Sequence, residues 1–301
     1  MFHKPFSHKA AVLAALFVTF LWSTSWVLIK WGLRDIPALT FAGLRYVLAV
    51  LCLLPFVLRE PHLAALRTMQ PRQWGRLTVY GLIIITVTQG AQFLGLKYLP
   101  AVTVSLLLNF TPVVVALMGV VLLSERLRLR QWLGVLLYMA GITIYFYPIT
   151  LPASESLGVL VMAIGVLFNA GSSIMGRQIN REEQISPLVV TAVSMSVGAI
   201  VLLVSGLIVE GIPTLSLTNW AFIAWLAIVN TAFAFTLWNH VQRTLKAVES
   251  SLINSTMLVQ IALLAWLILG ETLTLQDLAG MALVLVGIVT VQLRRTTDDG
   301  R

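Results

Sequence analysis

Polar side chains recur inside the long apolar stretches of this sequence, where each polar group needs a hydrogen-bond partner. Ser105 and Asn109 are four residues apart and would share one face of a helix. Asn254 and Ser255 fall in a matching stretch later in the chain. Such faces either join helices to each other or line a cavity that replaces water around a polar substrate. The clustering favours a cavity wall.

Aromatic side chains accompany these polar groups. Trp22 and Trp26 are one helical turn apart with Ser25 between them, and Phe93 directly follows Gln92. An apolar, aromatic pocket with few polar groups is typical of a site for an amino acid with a large side chain. We therefore predict a substrate site that contains Trp22, Ser25, Trp26, Gln89, Gln92, Phe93, Asn109, Asn169, Ser173, Trp238, Asn254 and Ser255.

Arg45 is the one formal charge that falls well inside an apolar stretch. Placing an arginine at the centre of a membrane helix costs roughly 2.5–3.5 kcal/mol on insertion scales. Arg45 could extend to the surface or bond the carbonyls of a neighbouring helix end, or it could bind a substrate carboxylate. No Asp or Glu falls in the middle of an apolar stretch, so a carboxylate proton relay has no obvious candidate.

The sequence shows no evident group of catalytic or metal-binding residues of the kind that a membrane-embedded enzyme needs. The histidines His3, His8, His62 and His240 lack the spacing of metal ligands. The single cysteine, Cys52, can form neither a disulfide nor a thiolate metal site within the chain. We therefore predict no catalytic residues, no metal and no cofactor.

The apolar stretches dominate the composition of this 301-residue chain, which is 58% hydrophobic and 11% charged. A typical soluble domain is ~45–50% apolar and ~25% charged. Each stretch is long enough to cross the ~30 Å of a bilayer's hydrocarbon core as a helix. We predict an all-α membrane protein with ten transmembrane helices at 10–30, 37–58, 77–97, 101–123, 130–148, 157–177, 187–209, 218–241, 247–269 and 275–293.

Basic residues give the orientation of these spans. The net charge is +8, and 16 of the 20 Lys and Arg residues lie in connections on the side of the N-terminus. Basic connections remain in the cytoplasm, so both termini are predicted to be cytoplasmic. Because membrane orientation accounts for the positive charge, we do not expect nucleic acid as a partner.

An internal repeat divides the chain. Residues 99–142 align with residues 245–288 without a gap, at a constant offset of 146. The matched Glu-x-Leu-x-Leu motifs at Glu125 and Glu271 carry the alignment, together with a Gly pair seven residues apart in each copy. Five spans per copy is an odd number, so the copies cross the membrane in opposite senses.

We accordingly predict two inverted five-helix repeats, 1–148 and 149–301, around a central cavity. Pro112 removes the amide that would bond the carbonyl of Leu108, so the fourth helix should kink near Asn109. This kink is either a hinge for alternating access or a harmless bend.

Taken in order, these motifs resemble the drug/metabolite transporter superfamily, specifically its ten-helix EamA-like branch. The resemblance covers essentially the whole chain and rests on residues 22–30, Arg45-Tyr46, residues 93–98, residues 109–113, Glu125, Glu271 and Gly280. It implies two inverted five-helix bundles around a cavity and transport of small metabolites, often export. Within the family, the sequence is most similar to the branch of amino-acid exporters.

We therefore expect an exporter of neutral or aromatic amino acids in the inner membrane of a bacterium, working by alternating access as a monomer or weak homodimer. Its partners would be the small-molecule substrate and the lipid bilayer. Other metabolites or drugs remain alternatives, including sugar phosphates, nucleosides and amines. A membrane-embedded enzyme is less favoured.

Overall fold

The computed structural model describes residues 6–111, 113–115, 118, 129–145, 147, 153–182, 185–241, 244–245, 253–254 and 256–292. Within these residues all regular secondary structure is helical, which confirms the all-α prediction. The helices in chain order are α1 His8–Gly32, α2 Ala38–Val57, α3 His62–Thr68, α4 Pro71–Tyr98, α5 Ala101–Leu108, α6 Leu129–Tyr145, α7 Ala153–Glu182, α8 Pro187–Glu210, α9 217–241, α10 Met257–Leu269 and α11 Leu275–Gln292.

Six of these helices are long and apolar enough to cross a membrane, namely α1, α2, α4, α7, α8 and α9. The apolar helices α5, α6, α10 and α11 are shorter over the part of the chain that the structure describes. Each of them overlaps one of the predicted spans. The short helix α3 lies in the connection after α2 and was not predicted, because its seven residues contain no long apolar stretch.

Helix starts follow local capping chemistry. The hydroxyl oxygens of Ser7, Ser186 and Ser216 accept hydrogen bonds from the first turns of α1, α8 and α9, as N-cap serines do. Pro37 has no side chain that could cap α2. There the carboxylate of Glu210, from the end of α8, accepts hydrogen bonds from the first turn of α2, including one of 3.0 Å from the amide of Thr40. The cap of α2 therefore also joins two helices.

Three of the described helices, α4, α9 and α10, contain π-helical turns, and those of α4 and α9 lie at related positions. The π segment of α4 is Leu82–Gln89 and that of α9 is Ile228–Phe233. Their first residues are 146 positions apart, the same offset as the sequence repeat. A π turn inserts one residue into the helix, leaves a backbone carbonyl without its usual partner, and is frequent at functional sites.

Helices pair across the sequence. Helix α2 packs against α8, α6 against α11, α4 against α7 and α8, and α1 against α9 and α10. One continuous core of buried side chains, among them Phe41, Tyr46 and Tyr138, runs through these interfaces. Large apolar side chains such as Leu13 and Phe17 remain exposed on the outside, as expected of a surface in contact with lipid.

Glycines allow the backbones of α6 and α11 to touch. A Cβ atom on Gly141 would lie 2.7 Å from the carbonyl oxygen of Gly280, and one on Gly287 would lie 2.8 Å from that of Gly134. Small residues at such contacts let membrane helices approach closely. Gly141 on α6 meets Gly280 on α11, whereas the earlier Gly134 meets the later Gly287, so the two helices run antiparallel.

Replacing Gly280 with valine should destabilise this interface. Its side chain would enter space occupied by the backbone of Gly141 and Tyr145, and overpacking of this kind costs about 1–3 kcal/mol. We expect a lower melting temperature for the detergent-solubilised protein. Gly75→Val is the matched control, since a Cβ at Gly75 meets nothing within 4 Å. Equal melting of Gly280→Val and wild type would contradict the close contact.

Candidate functional site

A cavity of about 520 Å³ lies among α1, α2, α4, α5, α7, α9 and α10. Its size falls within the roughly 300–1,000 Å³ of typical small-molecule sites. The described residues that line it are Trp22, Ser25, Trp26, Arg45, Tyr46, Gln89, Gln92, Ser105, Leu108, Asn109, Thr111, Val115, Asn169, Phe235, Asn254, Met257 and Ile261.

The cavity brings together many of the residues that the sequence pattern singled out. They come from six different parts of the chain and include two neighbouring turns of α4. The members of the predicted site that line the cavity are Trp22, Ser25, Trp26, Arg45, Gln89, Gln92, Asn109, Asn169 and Asn254.

Two predicted site residues lie one layer behind the cavity wall. Phe93 is fully buried, and its ring meets the edge of Phe41 with centroids 5.3 Å apart. Trp238 packs against Trp22 with ring centroids 5.2 Å apart. Both rings therefore support residues of the wall and do not line it.

The remaining predicted residues are Pro112, Ser255 and the side chain of Ser173, which lie outside the described residues. Next to Pro112, the regular helix α5 ends at Leu108, and Asn109 caps it through a 2.8 Å hydrogen bond from its Nδ2 to the carbonyl of Ser105. The helix is thus interrupted where the sequence predicts a kink. The role of Pro112 as a hinge stays a prediction.

Several lining residues were not in the predicted site. Met257 and Ile261 follow Asn254 by three and seven positions, which is the spacing of one helix face. Leu108 and Val115 are also seven positions apart. Apolar residues at helical spacing look the same in a cavity wall and in a packed core, so the sequence carries no signal that separates the two.

Arg45 lies in the wall with little exposure. Only 4% of its surface is accessible, and its Nε donates a 2.9 Å hydrogen bond to the hydroxyl of Thr231 on α9. Its guanidinium carbon lies 5.4 Å from the ring centre of Tyr46 and 5.9 Å from that of Phe93. Cation–π contacts of this kind stabilise a desolvated guanidinium. The charge therefore stays inside the bundle and does not extend to a surface.

Other polar residues of the apolar stretches join helices to each other. Ser23 donates a 3.0 Å hydrogen bond to Oε1 of Gln260, whose Nε2 donates to Thr19 at 3.2 Å. The side-chain amide of Asn230 donates to the carbonyl of Leu21. These residues take the alternative role considered above, interhelical bonding.

The aromatic part of the wall is held by a bond between distant helices. The indole Nε1 of Trp22 on α1 donates a 3.1 Å hydrogen bond to the backbone carbonyl of Asn230, within the π segment of α9. The ring of Phe235 lies 5.3 Å from that of Trp22. A tryptophan whose polar end is bonded presents a fixed apolar surface to the cavity.

Comparison with known proteins identifies the family. The model of the EamA-like transporter family matches residues 9–147 and, separately, residues 156–293. The chain belongs to the EamA-like transporter family. It is a multi-pass membrane protein, and the cavity lies in the body of a transporter.

The relatives of this transporter carry related names. "Uncharacterized transporter YvbV" of Bacillus subtilis is 27% identical, over 94% of this chain and 91% of that protein. A "Probable amino-acid metabolite efflux pump" of Salmonella typhimurium is 26% identical, over 91% and 92% of the two chains. Its namesake in Escherichia coli is 25% identical, over 94% of each. A crystal structure with 19% identity shares the fold, with a TM-score of 0.67 over 94% of this chain and 96% of that chain.

Charged groups tie the helices of the transporter at one end of the bundle. Nζ of Lys30 donates to the carbonyls of Leu96 and Leu99 at the end of α4, at 2.7 Å for Leu96. The carboxylate of Glu271 accepts hydrogen bonds from the amides of Ala101, at 2.8 Å, and Val102 at the start of α5. A cation at a helix C-terminus and an anion at a helix N-terminus both complement the helix dipole. Through them α1, α4, α5 and the segment after α10 meet at this end.

Proposed function

We propose that this transporter exports small metabolites, above all neutral or aromatic amino acids, across a bacterial cell membrane by alternating access. The observation that carries the proposal is a single cavity that combines a buried cation, a fixed aromatic wall and neutral amides. A carboxylate, an apolar side chain and an amino group each have a suitable counterpart there. The names of the two efflux pumps support the same class of substrate.

We further propose that the chain consists of two inverted repeats, 1–148 and 149–301. The two family matches support this division. Two structural features also fit it, namely the π segments of α4 and α9 at the repeat offset and the reciprocal glycine contacts between α6 and α11. Corresponding helices of the two repeats would then run antiparallel, as inverted-repeat transporters require.

The inverted topology predicts opposite locations for the two matched glutamates. In a Cys52→Ser background, Glu125→Cys should react with a membrane-impermeant thiol reagent only from the cytoplasmic side. Glu271→Cys should react only from the outside. Intact cells and inside-out vesicles provide the two sides, and a cysteine added to the N-terminus marks the cytoplasmic one. Labelling of both sites from the same side would exclude inverted repeats.

The charged end of the bundle suggests how access alternates. We propose that Glu271, whose carboxylate bonds the start of α5 in the other repeat, holds the external end closed in this conformation, and that the outward-open state breaks these bonds. Movement down the substrate gradient is the simplest driving mechanism, since no acidic residue falls in the middle of a predicted span. A monomer would suffice for such a site, because all the described residues that line the cavity belong to one chain.

Transport by the purified protein tests the proposed function. Proteoliposomes loaded separately with radiolabelled tryptophan, threonine, a sugar phosphate and a quaternary amine would be diluted, and efflux followed. We expect saturable efflux of tryptophan, slower efflux of threonine, and none of the other two above protein-free liposomes. Efflux of the sugar phosphate or the amine in place of the amino acids would assign a different substrate class.

A further inference from the structure

The charge of the cavity is unbalanced. Arg45 is the only ionised group among the described residues that line it, and the other polar members are amides and hydroxyls. The sequence places all twelve acidic residues at the ends of predicted spans or between them. The cavity therefore carries a net positive charge that no protein carboxylate in its described wall neutralises.

The guanidinium of Arg45 has hydrogen-bonding capacity left for a ligand. A guanidinium has five N–H donors, and within the described residues one of them, on Nε, is directed at Thr231. The rings of Tyr46 and Phe93 pack near the group but accept no strong hydrogen bond. A buried cation of this kind is strongly stabilised by an anion that brings charge and acceptor atoms together.

Ser105, a second polar residue of the same wall, has a hydroxyl without a partner among the described residues. Ser105 is 1% exposed and lines the cavity. An unsatisfied buried hydroxyl is destabilising unless a ligand or water bonds it. Arg45 and Ser105 thus both offer donors to an oxyanion bound in the cavity.

We propose that the cavity selects its ligands by net charge and binds an aromatic carboxylate that lacks an ammonium group, such as a 2-oxo acid, more tightly than the corresponding amino acid. The proposal rests on the proposed function, because it names the substrate class of the same site. A monoanion neutralises the charge of Arg45. A zwitterion leaves one positive charge in a low-dielectric site, and a cation leaves two. The amides of Gln89 and Gln92 can bond an ammonium group but carry no charge to balance it.

Four ligands with the same phenyl ring test this order in the purified full-length transporter. Phenylpyruvate and 3-phenylpropionate are anions, phenylalanine is a zwitterion and phenethylamine is a cation. Each would compete with efflux of labelled phenylalanine from proteoliposomes, with binding measured separately by calorimetry. We expect the anions to bind about tenfold more tightly than phenylalanine, and phenylalanine about tenfold more tightly than the amine.

The outcomes separate this inference from the proposed function. Saturable transport of phenylalanine together with equal or weaker binding of both anions would overturn the charge-selection proposal and leave amino-acid export standing. Failure of all four ligands to bind or compete would overturn both. Preferential binding of phenethylamine would replace both with a cation carrier.

Variants of Arg45 and Ser105 test whether these two residues produce the selection by ligand charge. Arg45→Gln should bring the affinities of the four ligands within about threefold of each other, because the charge that separates them is gone. Ser105→Ala should weaken binding of the anions and leave that of phenethylamine unchanged, whereas a merely structural defect would weaken all ligands alike. Lys97→Gln is the matched control, since it removes an exposed cation of α4 and should keep the wild-type order. Size-exclusion profiles establish folding, and an unchanged order in folded Arg45→Gln would contradict the assignment.

Discussion

Joining α4 to α7 by a disulfide near the charged end of the bundle is expected to stop transport. These helices belong to different proposed repeats, and a Cβ atom on Gly158 would lie 2.9 Å from that of Tyr98. Disulfides need Cβ atoms ~3.5–4.5 Å apart, so a shift of about 0.6 Å suffices. Alternating access requires this end to open, and a covalent bond across it would hold the cavity in one state. Oxidised Tyr98→Cys/Gly158→Cys, in a Cys52→Ser background, should show no efflux of amino acid from proteoliposomes.

Reduction provides the internal control for this experiment. Dithiothreitol should restore the efflux rate of the double variant, and the single variant Gly158→Cys should not respond to the oxidant. The fraction of cross-linked protein is measured by mass spectrometry after proteolysis. Normal efflux by fully cross-linked protein would mean that α4 and α7 move as one unit, and the proposed motion between repeats would then be wrong.

Truncation of Trp22 is expected to weaken substrate binding strongly. Its indole lines the cavity, bonds the carbonyl of Asn230 and packs against Phe235 and Trp238. Removal of an aromatic anchor from a binding site typically costs at least about 2 kcal/mol, which corresponds to about 30-fold in affinity. We expect Trp22→Ala to raise the apparent KM for an aromatic amino acid by about that factor, measured as concentration-dependent efflux.

A second tryptophan separates this effect from a general loss of folding. Trp220 lies in the first turns of α9, is 44% exposed and does not line the cavity. Trp220→Ala should keep the wild-type KM, and immunoblots should show equal membrane abundance for both variants. An unchanged KM in Trp22→Ala at normal abundance would remove this residue from the proposed site.

Much of the candidate site could be anticipated from residue type and spacing. Gln89 and Asn254 are polar residues in otherwise apolar stretches, and a bilayer gives such groups few places other than a helix interface or a cavity. The structure assigns Ser23 and Gln260 to an interface, and Gln89 and Asn254 to the cavity wall. Sequence could not make that choice, because both environments satisfy a polar side chain.

Which residues line the cavity depends on how each helix is rotated about its own axis. Phe93 and Gln92 are neighbours in sequence, yet only Gln92 lines the cavity while Phe93 packs behind Arg45. Successive residues of a helix point about 100° apart, and the π segment Leu82–Gln89 shifts the faces of α4 further. A local pattern does not specify such a rotation. It is set by packing against other helices.

The sequence alone determined that this chain is helical and membrane-bound, because apolar length and the scarcity of charge leave no other way to satisfy the backbone. The repeat offset and the resemblance to the EamA-like branch were also contained in it. Only the tertiary structure decided that Arg45 stays inside the bundle, bonded to Thr231, and that Ser105 lines the same cavity with no partner for its hydroxyl among the described residues. Those contacts join residues far apart in the chain, and their geometry is fixed by how whole helices pack against each other.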